Sequence, residues 1–306
     1  MPRLSLAMAL LLALAGSPAL AATCQPVQHP PSPAEPDDAF GFLDGTALSE
    51  PCTVDVQTEI VGHHGKRDGR FTSLNSKVEA SWLAAPRWMI SVAFWHAFHA
   101  IRDNTVPGYP NHNRSAFDGA AVQVAYQFRE RGEHAFDPGF SVGIETRYAK
   151  FSEGTAFSAD RYSVAVKGAI DMALSGDRLY GAFNFSLGPG TERVRLTPGY
   201  VADSALELSL AATYRLTHGG NTFIGVNARY AASFGNAFYG RWSGHAVLAG
   251  PTLYHEFGTV GPLQYVFLSV AWTPQLWGRA AGGVTGNSDL VNAERQQFRL
   301  RIGGML

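Results

Sequence analysis

Charged side chains recur at two-residue spacing along several stretches of this 306-residue chain. Asp55, Gln57 and Glu59 form one such set; Lys77 with Glu79, Glu145 with Arg147, Arg299 with Arg301 form others, and Lys167, Asp171, Glu207, Arg215 and Arg229 hold equivalent places in their own stretches. Asn75, Gln123, Gln127, Asn184 and Asn227 extend the pattern. A spacing of two puts side chains on one face of a β-strand. Both signs occur around this face, so its chemistry is that of ion pairing and polar lining rather than of a single-sign field. In a narrow enclosure such groups either neutralise one another and fill the space or line a selective polar path, and the alternation leaves both readings open. If the first and last strands meet, Arg299 and Arg301 lie beside Asp55, Gln57 and Glu59, and ion pairs are expected across that seam.

Other reactive residues give weaker signals. His63, His64, His99 and His112 fall toward one end of the expected strands and could bind zinc or copper, but no cysteine or fixed carboxylate accompanies them, and they read better as solvated loop histidines. Ser243 and His245 share a strand face and are the nearest approach to a nucleophile and its base. They lack a third orienting group, so hydrolysis of lipid is the least favoured reading and no enzyme activity is expected. Gly188-Pro189-Gly190 reads as a turn, with no helix following to make a phosphate loop. Neither a cofactor nor a metal is expected.

The elements that must position these residues are strands. Charged residues make up 16% of the chain, against about 25% in a typical soluble domain. The 24 Lys and Arg balance 25 Asp and Glu, leaving no positive field for nucleic acid. Beyond residue 22 there is no apolar run of about 18 residues, which argues against a helical membrane protein. From Thr53 onward the pattern is period-2 alternation. Leu206, Leu208, Leu210, Ala212 and Tyr214 oppose Glu207, Ser209, Thr213 and Arg215. Such runs cover residues 53–63, 71–83, 87–100, 116–129, 139–150, 161–174, 178–188, 203–216, 222–234, 241–257, 262–277 and 293–306, the tenth without a clean phase. They exceed the usual five or six residues of soluble strands and suit a tilted strand crossing a bilayer. An even number of runs puts both ends on one side. Short connections on that side and longer polar ones on the other (101–115, 189–203, 278–292) are the asymmetry of membrane barrels. Trp82, Trp88, Tyr148, Tyr162, Tyr214, Tyr230 and Trp277 sit near strand ends, where interfacial girdles form. The expectation is an all-β, closed antiparallel transmembrane barrel of about twelve strands over residues 53–306, in contact with outer-membrane lipid.

The N-terminus carries other signals. Arg3, the apolar stretch Leu4–Ala15 and Ala19-Leu20-Ala21 compose a signal peptide over residues 1–22, implying export to the outer membrane of a Gram-negative bacterium and handling by the barrel assembly machinery. Residues 23–52 are Pro-rich and read as a periplasmic extension, either a plug in the barrel mouth or an inert leader; residues 38–48 could form one helical turn. Cys24 and Cys52 are the only cysteines, and in an oxidising compartment a disulfide is expected, closing a loop of roughly 29 residues and contributing about 3 to 4 kcal/mol.

The segment Glu294-Arg295-Gln296-Gln297-Phe298-Arg299-Leu300-Arg301-Ile302-Gly303 resembles the last strand of proteobacterial outer-membrane proteins of the phenol-degradation meta-pathway transporter family. Ala249-Gly250-Pro251 with Leu253-Tyr254, and Thr273-Pro274-Gln275-Leu276, resemble that family's penultimate segments. The likeness covers about the last third of the chain. It implies a twelve-stranded barrel passing small, often hydrophobic, molecules. Leu306 departs from the pattern, since such barrels usually end in an aromatic residue. Taken together these features imply a passive channel for small solutes, with a closed structural or surface barrel whose lumen is plugged as the alternative.

Overall fold

Alternation makes each strand two-faced, and closing the sheet on itself is the one arrangement that pairs every backbone group without leaving an edge. The computed structural model describes residues 38–105, 111–132, 134–195, 199–218, 220–282 and 287–306. The expected signal peptide, and Cys24 as the expected partner of Cys52, lie outside them. Twelve strands follow in order: β1 (Val54–His64), β2 (Arg70–Ala85), β3 (Trp88–Arg102), β4 (His112–Arg129), β5 (Gly139–Phe151), β6 (Ser158–Ser175), β7 (Leu179–Val194), β8 (Val201–Arg215), β9 (Thr222–Phe234), β10 (Trp242–Val260), β11 (Leu263–Ala280) and β12 (Gln296–Met305). Each pairs antiparallel with its sequence neighbours, and β1 closes on β12 from Asp55↔Met305 to His64↔Gln296. The barrel has a near end, which holds both Val54 and Met305, and a far end.

Its burial pattern is inverted relative to a soluble sandwich. Leu210 and Val226 are each 61% exposed, whereas Ser209 and Asn227, one residue away, are 3% and 2% exposed. Val124, Ile144, Val164, Leu253, Leu276 and Ile302 are exposed in the same outward phase. Aromatic pairs band the outer wall at two levels. Trp88 packs on Tyr126, and Phe128 on Phe140, toward the near end; Tyr148 packs on Tyr162, and Trp277 on His245, toward the far end. The eight residue-to-residue steps from Phe140 to Tyr148 span roughly 20 Å along the barrel axis for a strand tilted about 40°.

Three prolines lie inside strands, and they correct the reading of Gly188-Pro189-Gly190 as a turn. Pro189 pairs with Ser204 of β8, and β7 runs on to Val194. A proline has no N–H to give, so it is tolerated where the ladder can lapse. Pairing with β6 lapses between Ser163↔Gly190 and Val166↔Leu187. Pro251 and Pro274 share a second lapse, between Leu248↔Gln275 and Thr252↔Ala271 of β10 and β11. Beside each lapse a glycine lets the backbones close in: a Cβ on Gly188 or Gly250 would stand 1.9 Å from the carbonyl oxygen of Val164 or Trp272. The expected connection 189–203 therefore shrinks to residues 195–200, and the phase of β10 is fixed by its pairing with β9, Leu248↔Arg229 to His255↔Thr222. His112, expected in a loop, is the first residue of β4.

Candidate functional site

The inward faces of the strands carry the charged set, and residues 38–52 occupy the space they enclose. The segment turns at residues 39–42, where Leu43 N donates to Phe40 O at 3.4 Å, an i to i+3 bond that follows a 3-10 residue at Asp38, at the start of the stretch 38–48 considered for one helical turn. Phe40 and Leu43 are completely buried. With Ala39 they form the centre of an apolar cluster whose wall side is Tyr180, Phe223, Tyr254 and Phe267. These four stand near the near-end termini of β7, β9, β10 and β11, so an apolar ring meets an apolar pair.

Polar contacts fix the segment above and below that ring. Arg299 Nη1 donates to Gly41 O at 2.7 Å, and Arg301 Nη2 donates to Asp38 O at 2.9 Å. Arg301 also pairs with the carboxylates of Asp38 at 3.1 Å and Asp44 at 3.4 Å. Arg229 stacks its guanidinium 4.0 Å above the Phe42 ring. Thr46 donates to Asp171 at 2.6 Å and accepts at its carbonyl from Gln127 Nε2 at 2.8 Å. The Ser49 hydroxyl donates to Met89 Sδ at 3.6 Å. The Asp44 side chain stays open to the remaining lumen.

The sequence-derived residues separate into groups. On the wall, Glu59 takes the Nε of Arg299 at 2.7 Å and stands 3.9 Å from Lys77, which pairs with Glu79 at 3.2 Å; Glu79 in turn accepts from Gln57. Lys167 pairs with Glu145 at 2.7 Å, Arg147 with Asp118 at 3.2 Å, and Arg229 with Glu207 at 3.7 Å. Asp171 pairs with Arg131 at 2.6 Å. Arg215 donates to the Tyr180 hydroxyl at 3.4 Å and lies 4.9 Å from the Phe223 ring. The seam thus contains the Arg299–Glu59 pair, but Arg301 is directed at the N-terminal segment instead of at Asp55. Asp38, Asp44 and Thr46 were not singled out in the sequence, because a Pro-rich stretch without alternation gives no facing information. The available signal was the apolar run Ala39–Leu43 with an aspartate at each side.

At the far end three connections interlock. Arg67 reaches across the mouth and donates to Gly154 O at 2.7 Å, while its own N–H donates to Leu290 O at 2.8 Å. Arg295 N donates to Gly65 O at 2.8 Å. Lys66 pairs with Glu294 at 3.1 Å, and His63 Nδ1 stands 3.3 Å from the same carboxylate. Burial alone would raise the Glu294 carboxyl, but Lys66, His63 and the Gln297 amide together hold it well below the usual range. The loop 152–157 bends into the barrel, and Ala156, at φ 58°, is buried against Phe71 and Ile101. His99 is enclosed beneath it, its Nε2 3.2 Å from Glu153 O. His64 lies 3.2 Å from the Thr72 hydroxyl.

Among the described residues no hydrogen bond joins Ser243 to His245. The His245 ring packs among Trp277, Trp242 and Tyr230 at 4.6, 5.5 and 5.7 Å, and the Ser243 carbonyl accepts from Asn292 Nδ2 at 3.0 Å.

A family model described as a family of unknown function, DUF6662, matches residues 33–305. No characterised protein matches the chain in sequence. Among solved structures the barrel is similar to the COG4313 outer membrane channel from Pseudomonas putida F1, with a TM-score of 0.57 and 12% identity over 89% of this chain and 100% of that one. It is also similar to the beta domain of the Bordetella autotransporter BrkA, with a TM-score of 0.49 and 11% identity over 82% of this chain and 98% of that one. The first of these shares the fold.

Proposed function

The chain belongs to the family of unknown function DUF6662, and we propose that it is an outer-membrane channel for small solutes whose lumen is stoppered by its own residues 38–52. The observation that carries this reading is the inverted wall: apolar residues outward, charged residues inward, and a closed sheet between them. An apolar exterior bounded by two aromatic bands is stable against hydrocarbon and not against water. In this reading residues 1–22 direct export, the barrel assembly machinery inserts the chain, residues 23–52 begin on the periplasmic side at the near end, and the far-end connections face outward. A Cys24–Cys52 disulfide would tether the segment to the barrel rim.

Wall charges already pair with one another on β1, β2, β5, β6, β8 and β9, and the segment is held by a small apolar contact set plus a few polar bonds, an arrangement suited to release. Neither cofactor nor catalytic residue enters the reading. A second reading, passage of hydrophobic molecules as the resemblance to the phenol-degradation transporters implies, is favoured by an apolar depression in the outer wall bounded by Tyr214, Ile224, Val226, Pro251, Leu253 and Trp272, where the β10–β11 ladder lapses.

Single-channel recording from the refolded chain in a planar bilayer tests the proposal. Discrete steps, brief in the intact chain and prolonged in a form lacking residues 23–52, are expected. Silence from both forms, each verified as folded, would refute conduction and leave a structural barrel.

A further inference from the structure

Beneath the loop 152–157, at the far end and away from the stopper, lies a polar cavity of about 80 Å³. Asn75, His99, Asp118, Arg147, Glu153 and Arg161 supply its chemistry. They come from β2, β3, β4, β5, the loop and β6, so they converge from adjacent strands and from the lid above.

The wall side is held by bonds of its own. Asp118 accepts from the backbone N–H groups of Lys150 and Phe151 at 3.1 and 3.0 Å and pairs with Arg147. Arg147 is further fixed 4.7 Å from the Trp95 ring. Arg161 spans Asp203 at 3.1 Å and Glu192 at 3.5 Å. Arg147 Nε is nonetheless buried without a hydrogen-bond partner, and two further groups are left over. His99 is 2% exposed, and its Nδ1 is buried with no hydrogen-bond partner. The Glu153 carboxylate is exposed, lines the cavity and makes no hydrogen bond among the described residues, though it stands in the field of His63, Lys66 and Arg161. A guanidinium has five N–H donors and each arginine here uses only part of its set.

The lining carries two positive groups, Arg147 and Arg161, and two negative ones, Asp118 and Glu153. A solute of one net charge meets no compensating surplus. An apolar solute would leave His99 Nδ1 and Arg147 Nε without partners, the costly case for enclosed polar groups. The volume is far below that of a drug-sized pocket, so only a molecule of a few heavy atoms fits. Resting on the channel reading above, we propose that this cavity is a binding station for a small zwitterionic solute, its ammonium group between the Glu153 carboxylate and the acceptor Nδ1 of His99, whose Nε2–H is taken by the Glu153 carbonyl, and its carboxylate at the free N–H groups of Arg161. The class that follows is the amino-acid-sized zwitterion, with the loop 152–157 as its cover.

The test uses the full chain folded in detergent micelles and glycine as the probe, with calorimetric titration as the readout. Saturable glycine binding is expected, with glycolate, which lacks the ammonium group, and methylammonium, which lacks the carboxylate, each at least ten-fold weaker. Glu153→Gln should weaken glycine at least ten-fold. The comparison among the three probes needs no variant and stands if Glu153→Gln fails to fold. Absence of glycine binding, or equal binding of glycolate, overturns the proposal. Planar-bilayer currents in potassium chloride alone separate the two readings: currents without glycine binding refute the station and leave the channel, whereas glycine binding without currents supports the station and refutes conduction.

Discussion

Phe40→Ala is the sharpest probe of the stopper. Phe40 is wholly enclosed and packs with Leu43 against Tyr180, Phe223, Tyr254 and Phe267. Truncating an enclosed phenylalanine costs about 3–5 kcal/mol. The space beside Asp44 is open, so water can refill part of the void, and about 3 kcal/mol is the appropriate figure. At about 1.4 kcal/mol per tenfold change, the ratio of docked to released segment should fall roughly 100-fold. No strand pairing involves Phe40, so the barrel's resistance to heating in detergent should be unchanged. In planar bilayers the variant should show a large rise in open probability at unchanged step size. Open probability within two-fold of the parent, in a variant shown to be folded, would mean that the apolar contact does not hold the segment and that the reasoning from burial is wrong.

Gly250→Ala should lower the melting temperature of the barrel by an amount equivalent to about 1–3 kcal/mol, because its Cβ would meet the Trp272 carbonyl oxygen at 1.9 Å; thermal unfolding in detergent followed by circular dichroism checks it. Glu294 makes the far-end latch pH-dependent: its carboxyl is held below the usual range when folded, so its stabilisation is complete above roughly pH 4.3 and is lost as pH falls through the depressed native value. Hydrogen exchange at residues 65–69 and 289–295 should accelerate in that acid window, and Glu294→Gln should reproduce the acceleration at pH 7; identical exchange in parent and variant at pH 7 would refute the latch. Releasing the segment also strips Arg301 of Asp38 and Asp44, so the opened pore should prefer anions, with Arg301→Gln removing the preference; reversal potentials in a salt gradient decide this, and a cation preference in the opened parent would count against it.

The wall was legible because its physics is local. Each outward Leu or Val and inward Ser or Asn differs only in phase, as at Leu208, Ser209 and Leu210, and phase survives in the sequence. The strand limits follow to within a few residues except where proline intervenes. Pro189 was read as a break because a missing N–H normally ends a central strand. It continues here because the lapse in the β6–β7 ladder absorbs the loss, a fact about the neighbouring strand that no local pattern carries. The inward bend of the loop 152–157 was equally hidden, since Ala156 at φ 58° is a conformation its residue type does not announce.

The fit between stopper and wall was partly encoded, and it explains the distribution of charge. Most inward acids and bases find partners on adjacent strands, as Lys167 does with Glu145 and Arg299 with Glu59. Arg301 differs. It is 2% exposed and sits opposite Glu59 in the register, yet Arg299 takes that carboxylate, and the ion-pair partners of Arg301 are the two aspartates of the stopper. A buried arginine left without a carboxylate is strongly destabilising, whereas in a water-filled lumen it can be hydrated. Docking of residues 38–52 and the presence of Arg301 are therefore coupled: the segment supplies the charge that lets the near half of the lumen become dry, and its departure is tolerable only because water replaces it. That coupling makes the segment a releasable part of the wall's electrostatics rather than a filler of empty space.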